Sequence, residues 1–389
     1  MFSRGPANHA FWSRYLAVFD EVVVLARATA GGAQGGVQAD PQQRADGSGV
    51  IFRALPDHTG PRQYLSVRRE AQQIARLAVV ECDVFLLRMP GLVSQLLSRE
   101  IARLKLPYAV QVVGDPWDAL GPGTWPGIFR PVFRIAATLQ MKRICKSAVA
   151  ASYVTTAALQ RRYPPSGTAF TIGFSDVMIE DNFIPENILA KKHQRLRSMP
   201  WNDSRNTSPF TIGFIGSFSQ LYKAPDVLLR ALASCHTRLN FHLRMVGDGR
   251  HLNAMKSLAE KLDLASRVEF LGHLPANSIS DFLDSIDLFV LPSRAEGLPR
   301  ALLEAMYRAC PCVGTAVGGI PELLDPSDLV PVGNSERLAQ LILQVASDSE
   351  RLLAMSARNL AKAQNFAPAA LHESRLAFLE AVKHRSSAG

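Results

Sequence analysis

Short apolar runs rich in β-branched and aromatic residues alternate with helix-length amphipathic segments along this chain, and they do so twice. In the first half the runs are Glu21-Val22-Val23-Val24-Leu25-Ala26, Cys82-Asp83-Val84-Phe85-Leu86-Leu87 and Tyr108-Ala109-Val110-Gln111-Val112-Val113, with helical patterns over 65–80 and 93–104 between them. In the second half they are 210–216 (FTIGFIG), 241–247 (FHLRMVG), 268–272 (VEFLG) and 288–291 (LFVL). A strand that is apolar at nearly every position has both faces covered, and it reaches a parallel neighbour only through a crossover helix. The pattern predicts an α/β protein of two Rossmann-like, doubly wound domains. At 389 residues and 47% hydrophobic content the chain is long enough for two cores.

Polar residues and breakers gather over 191–209 (KKHQRLRSMPWNDSRNTSP), which predicts a linker between domains at 1–190 and 210–365. The remaining 366–389 is expected to form a helix returning toward the first domain. A Gly/Gln-rich piece, 31–49, is expected to be a surface loop. Two doubly wound domains facing each other leave a cleft at the carboxyl ends of their strands, where open α/β sheets bind ligands.

Other features narrow the class. No apolar run reaches the length of about 18 residues that a spanning helix needs, and the first dozen residues lack a basic segment followed by an apolar one. The chain is expected to be cytoplasmic. Five scattered cysteines fit small buried apolar residues better than a zinc or redox pair, and with no HExxH and no DxD no metal is expected. The net charge of +9 lies wholly in residues 1–208, which hold 25 Lys/Arg against 16 Asp/Glu, whereas the rest is balanced at 18 each. Such asymmetry fits an anionic partner, a membrane surface or nucleic acid, or else solvated Arg-rich helices. No nucleic-acid recognition motif accompanies it.

Three features of the second half point toward an anionic ligand. Gly216 and Ser217 close the first strand and Lys223 follows at the next helix start, a place for phosphate on backbone N–H groups and an ammonium. Gly247 and Asp248 close the next strand as a tight turn, which a plain turn explains equally well. Most telling is Ser293-Arg294-Ala295-Glu296-Gly297-Leu298-Pro299-Arg300-Ala301-Leu302-Leu303-Glu304, two carboxylates around a helix start. Pro299 suits the first helical position, so a helix is expected through Arg308, with Glu296 in the loop before it and Glu304 nearly two turns in. N–H groups near Gly297 and Leu298 face an anion, while each carboxylate accepts from hydroxyls on either side of it. Taken by spacing alone, the two glutamates also fit a favourable helix-start charge and a surface charge.

The order and spacing of Gly216-Ser217, Lys223, Val246-Gly247-Asp248-Gly249, Val268-Glu269-Phe270-Leu271-Gly272-His273, Glu296 to Glu304 and Val317-Gly318-Gly319-Ile320-Pro321-Glu322 resemble the donor domain of retaining glycosyltransferases of family four, with the GT-B fold and the E-x7-E motif. The first half resembles the acceptor domain more loosely, through 15–22, 112–117 and 154–159. The resemblance implies a hexosyl transfer with retention, from a UDP- or GDP-sugar donor to a saccharide or lipid-linked acceptor, in cell-surface polysaccharide or glycolipid assembly, without cofactor or metal. It implies that Lys223 binds the donor diphosphate, Glu296 the sugar hydroxyls, the Gly297 and Leu298 amides its oxygens and Glu304 the ribose, with Gly216, Ser217, Gly247, Asp248, Leu271, Gly272 and His273 lining the donor. The site would stand near the inner face of a membrane. A nucleotide-sugar epimerase and an inactive GT-B binding protein are the alternatives.

Departures from that pattern are expected to matter. Ser217 stands where the family usually has Arg, Ala224 where it usually has Gly, and the first-domain histidine has no match, with Asp115 its nearest candidate as a catalytic group. The residues from Met1 to Trp12 read as a glycine-rich loop and helix start with no apolar strand before them, so a further strand is expected upstream.

Overall fold

The computed structural model of the chain describes residues 8–28, 44–57, 60–124, 127–176, 183–198 and 208–387. Its residues cluster into two compact units, one of Met1–Val113, Leu139–Met178 and Leu371–Gly389, the other of Gly114–Thr138 and Ile179–Ala370.

In the first unit β1 (Val22–Ala28) and β2 (Val50–Pro56) form a parallel two-stranded sheet. A separate parallel sheet runs β3 (Leu86–Met89), β4 (Ala109–Val112), β5 (Ala150–Tyr153) and β6 (Phe170–Gly173) in sequence order. Ala109 and Ala150 are fully buried, and they share an apolar cluster with Phe11, Tyr15 and Phe174 and with Leu371, Phe378, Leu379 and Val382 of the helix Pro368–Ser387. Arg88, Gln111 and Ser152 are cross-strand partners, so a polar row crosses one face of this sheet.

The second unit holds one six-stranded parallel sheet: β7 (Phe210–Ile215), β8 (Phe241–Val246), β9 (Val268–Gly272), β10 (Leu288–Leu291), β11 (Cys312–Thr315) and β12 (Leu329–Val330), in the spatial order β12-β11-β10-β7-β8-β9. The chain starts in the middle at β7, lays β8 and β9 to one side, then crosses to place β10 on the other. The order therefore reverses between β7 and β10. Phe210, Ile212 and Phe214 of β7, Leu243 and Met245 of β8 and Leu228, Leu229 and Leu232 of the helix Pro225–Ala233 sit in one buried cluster, each worth about 1.5–3 kcal/mol on burial.

Several expectations are corrected. The third first-half strand is Leu86–Met89, not 82–87, because the helix Gly60–Glu81 runs up to Cys82 and the strand admits Arg88 from the polar row. The stretch from Lys191 is not linker as far as Arg197; it is the end of the helix Glu186–Arg197, in the second unit. Its polar letters misled because the long side chains bury their stems and reach polar partners. Lys192 is buried, with Nζ donating to the carbonyls of Leu283 (2.9 Å) and Arg308 (2.8 Å) and to Cys310 Sγ (3.0 Å). Arg195 Nε donates to Asp287 Oδ1 at 2.6 Å. The boundary at 190 thus moves to 179, and 114–138, placed by sequence in the first domain, clusters with the second unit. The remaining linker positions 199–207, the loop positions 31–43 and Met1–Ala7 lie outside the described residues.

Candidate active site

The carboxyl ends of β7 and β10, on either side of the order reversal, are where an open α/β sheet opens a crevice. From β7 the chain makes a short turn, Leu221–Lys223, ending on buried Lys223. From β10 it passes Ser293 and Arg294 to Glu296, then enters the helix Arg300–Tyr307. Pro299 is the residue before that helix, with ψ 114°, rather than its first turn. The two excursions meet: Lys223 Nζ donates to Glu296 Oε1 at 2.6 Å, and Ser293 Oγ donates to the same oxygen at 2.7 Å.

Three further links hold this node. Arg294 forms a two-pronged pair with Asp226, at 2.8 and 2.6 Å, and donates to the Leu221 carbonyl at 2.9 Å, sewing the β10 loop to the β7 loop. Thr315 Oγ1, at the end of β11, donates to the Ser293 carbonyl at 2.6 Å. Gly319 N donates to the Gly297 carbonyl at 2.7 Å. Gly318 has φ +55°, and a Cβ there would lie 2.1 Å from the Glu296 carbonyl oxygen, so only glycine lets this loop approach.

Electrostatics keep the lysine charged. Burial works against the ammonium, but the Glu296 carboxylate, then Tyr222 and Glu304, outweigh it and raise the Lys223 pKa above its ordinary value. Tyr222 lies beside it, with Lys223 Nζ 5.4 Å from the ring centre. Burial, with the Glu296 charge, pushes the Tyr222 hydroxyl up in turn.

The other expected residues line the same edge of the sheet. Gly216 N donates to the Val246 carbonyl (2.9 Å) and Gly247 N to that of Gly272 (2.7 Å); a Cβ on Gly247, at φ +141°, would lie 1.9 Å from the Gly216 oxygen. Backbone thus packs directly on backbone. Ser217 is exposed and its Oγ accepts from Ser219 N at 3.1 Å, while exposed Asp248 accepts from Gly249 N at 2.6 Å. Leu271 and Gly272 end β9, and His273 beyond them is exposed. Gly297 is half-buried and Leu298 buried. Glu304, one turn into the helix, accepts from Arg300 Nε at 2.7 Å. Asp115 has another task. Its carboxylate accepts from Trp117 N at 2.8 Å and caps the short helix Pro116–Ala119.

Sequence reasoning missed Ser293, Tyr222 and Thr315 as supports. Ser293 lies within the stretch that holds the two glutamates, but nothing in its spacing distinguishes a hydroxyl aimed at Glu296 from a loop serine.

The profile of the family described as glycosyl transferases group 1 matches residues 209–348. This segment is similar to a group 1 glycosyltransferase domain. The chain is 24% identical over 339 residues to Protein CapJ of Staphylococcus aureus, covering 86% of this chain and 80% of that protein. It is 31% identical over 178 residues to N-acetyl-alpha-D-glucosaminyl L-malate synthase of Bacillus anthracis, 45% of each chain. Among solved structures, HepE of Anabaena in complex with UDP and glucose superposes with a TM-score of 0.64 at 20% identity, covering 97% of this chain and 96% of that one. The chain thus has the GT-B fold, and the span that matches the family contains the whole Lys223–Glu296 node and Glu304.

Proposed function

We propose that this protein transfers a hexose from a UDP- or GDP-sugar to an acceptor hydroxyl, with retention at the anomeric carbon, in the assembly of a polysaccharide or glycolipid. The observation that carries this reading is the Lys223–Glu296 pair at the order reversal of the β7–β12 sheet, beside the start of the helix Arg300–Tyr307. The UDP and glucose of the HepE complex and the glucosaminyl transfer in the Bacillus relative's name support a nucleotide-sugar donor.

In this reading the anomeric C–O bond breaks with its electron pair going to the nucleoside diphosphate. Lys223 and the Gly297 and Leu298 amides stabilise that departing charge, and no cofactor or metal takes part. A diphosphate oxygen accepts the proton of the acceptor hydroxyl as the new C–O bond forms on the same face. Glu296, fixed through Ser293 and Lys223, accepts from sugar hydroxyls. Glu304 accepts from the ribose, exchanging its Arg300 partner. Asp115, engaged as a helix cap, is left out of the chemical step. With its pKa raised, Lys223 contributes a charge that is fully present below the ordinary 10.5 and is lost as pH rises through the higher folded-state value.

Calorimetry tests the assignment. Lys223→Ala is expected to weaken UDP or GDP binding by about 10- to 150-fold, the worth of a charge-assisted contact. Glu296→Gln is expected to depress turnover while leaving free nucleotide affinity nearly intact. Unchanged affinity for both nucleotides in Lys223→Ala would reject the reading, and an inverted product anomer by NMR would reject retention.

A further inference from the structure

The helix Arg130–Lys146 carries apolar and basic side chains on one exposed arc. Ile128 and Phe129, just ahead of it, are 86% and 64% exposed, and Val132, Ile135 and Leu139 within it are 64%, 52% and 50% exposed. The spacing of three and four from 128 through 132, 135 and 139 keeps them on one side. Thr138, Met141, Ile144 and Cys145 are buried on the other. Continuing along the exposed arc, the next positions are Lys142, Arg143 and Lys146, all exposed. Trp117 borders the arc, its ring 3.8 Å from the Arg134 guanidinium and its carbonyl accepting from Arg134 Nε at 2.6 Å.

Charge identifies the partner. Residues 119–175 contain no Asp or Glu and seven Lys/Arg, which makes this stretch the main source of the first half's excess charge. We infer that this face docks on an anionic lipid bilayer, with the apolar side chains entering the boundary between headgroups and acyl chains and Lys142, Arg143 and Lys146 on lipid phosphates. A bilayer offers anionic groups and an apolar layer side by side, the combination the helix presents, and an interfacial helix uses both. A second copy of this chain fits worse, since a two-fold contact would set the same acid-free, cationic stretch against itself. Trp117, half apolar and half polar, suits the headgroup level. The inference does not depend on which donor the crevice takes, because docking is read without nucleotide.

Sedimentation of the full chain with phosphatidylglycerol/phosphatidylcholine vesicles, against pure phosphatidylcholine vesicles, tests it. Binding to the anionic vesicles is expected, weakening as salt is raised. Lys142→Glu with Arg143→Glu is expected to lower that binding by at least roughly 25-fold, at about fivefold or more for each charge reversed. Ile128→Ser with Val132→Ser is expected to lower it at high salt as well, where screening leaves the apolar contact dominant. Unchanged circular dichroism and thermal midpoints of these surface variants exclude unfolding as the cause. Equal recovery with both vesicle types would overturn the inference. So would a concentration-dependent dimer in ultracentrifugation that Ile128→Ser dissociates while vesicles fail to bind.

Discussion

The two units share one strand-and-helix grammar and differ in what they bury at the middle of their sheets. In the second, β7 has apolar Phe210, Ile212 and Phe214 fully buried at the centre of six continuous strands, and Lys223 with Glu296, Arg294 with Asp226 and Arg195 with Asp287 pair off that strand, while Arg244 and Glu269 pair across β8 and β9. In the first, the described strands form sheets of two and four, and charge enters the interior. Arg14 and Arg88 both pair with buried Asp176, Arg88 also donates to Gln111 at 3.0 Å, and Tyr15 donates to the same Gln111 oxygen at 3.2 Å. Burial first, then the Asp176 charge, pushes the Tyr15 hydroxyl up to about 12, so it stays a neutral donor. The centre of the second unit's sheet is therefore held by cavity-sensitive packing, with its buried charges Asp287 and Asp328 paired away from β7's side chains, and the polar row of the first unit leans on pairs that fail when one member is lost.

The largest test removes bulk from the apolar centre. Phe214→Ala, at a site with no solvent exposure, is expected to destabilise the second unit by about 3–5 kcal/mol, transfer and cavity together. Since two units need not unfold as one, hydrogen exchange in β7 and β8 peptides is the measurement rather than a single midpoint. A loss below about 1 kcal/mol would mean that the site collapses around the gap.

Next is the charge cluster of the first unit. Asp176→Ala strips the partner from two guanidinium groups. Breaking a buried pair costs about 3–5 kcal/mol, but Arg88 is 39% exposed and re-solvates, so about 2–4 kcal/mol is expected. Exchange in β3 and β4 peptides should report it. If Asp176→Ala spares these strands, the polar row is ornament and the contrast between the units fails.

A third test moves from stability to the site. Gly318→Ala drives a methyl against the Glu296 carbonyl, 2.1 Å from its oxygen, at a backbone angle only glycine adopts freely. The loop must shift, and Glu296 shifts with it. Misplacing a positioned group by about 1 Å costs on the order of 100-fold in rate, so donor turnover should drop by about that much while UDP affinity, carried mainly by Lys223, falls less. Equal losses in both would show that Gly318 supports the whole crevice rather than Glu296.

Much of this was legible because the second unit obeys a single rule. Strands 210–215 and 288–291 are nearly all apolar, 241–246 and 268–272 keep their apolar residues around His242, Arg244 and Glu269, and each is observed within a residue of its expected ends. The first unit mixes rules. β2 carries Arg53 and ends at Pro56, an edge pattern that hides a strand, and it was not expected. β3 hid behind Arg88, which its sequence neighbours do not explain and Asp176, 88 residues on, does. The same limit applies to the site. Lys223 and Glu296 were each read as facing a ligand, but 73 residues separate them, and no local spacing reveals that they bond to each other. What sequence conveys well is periodicity; what it withholds is a polar contact made by a long crossover.

The smallest effect sharpens the contrast through backbone alone. Lys105, in the first unit, and Ala224, after Lys223, both sit in the left-handed region, at φ 56° and 53°. A side chain there costs about 1–2 kcal/mol that glycine avoids, offset by glycine's greater unfolded-chain entropy of about 0.5–1 kcal/mol. Lys105 is exposed at the end of the helix Leu92–Leu104, so Lys105→Gly loses no packing and should stabilise by about 0.5–1 kcal/mol. Ala224 is fully buried in the apolar cluster of the second unit. Its methyl contributes about 0.8 kcal/mol, which cancels the backbone gain, so Ala224→Gly should be close to neutral. Exchange protection of the helices Leu92–Leu104 and Pro225–Ala233 in the two variants gives the comparison. Equal stabilisation would mean that the Ala224 methyl is not packed tightly enough to count. A clear loss at Ala224 alone would mean that this methyl, and not only Glu296, positions Lys223, and UDP affinity should then fall with it.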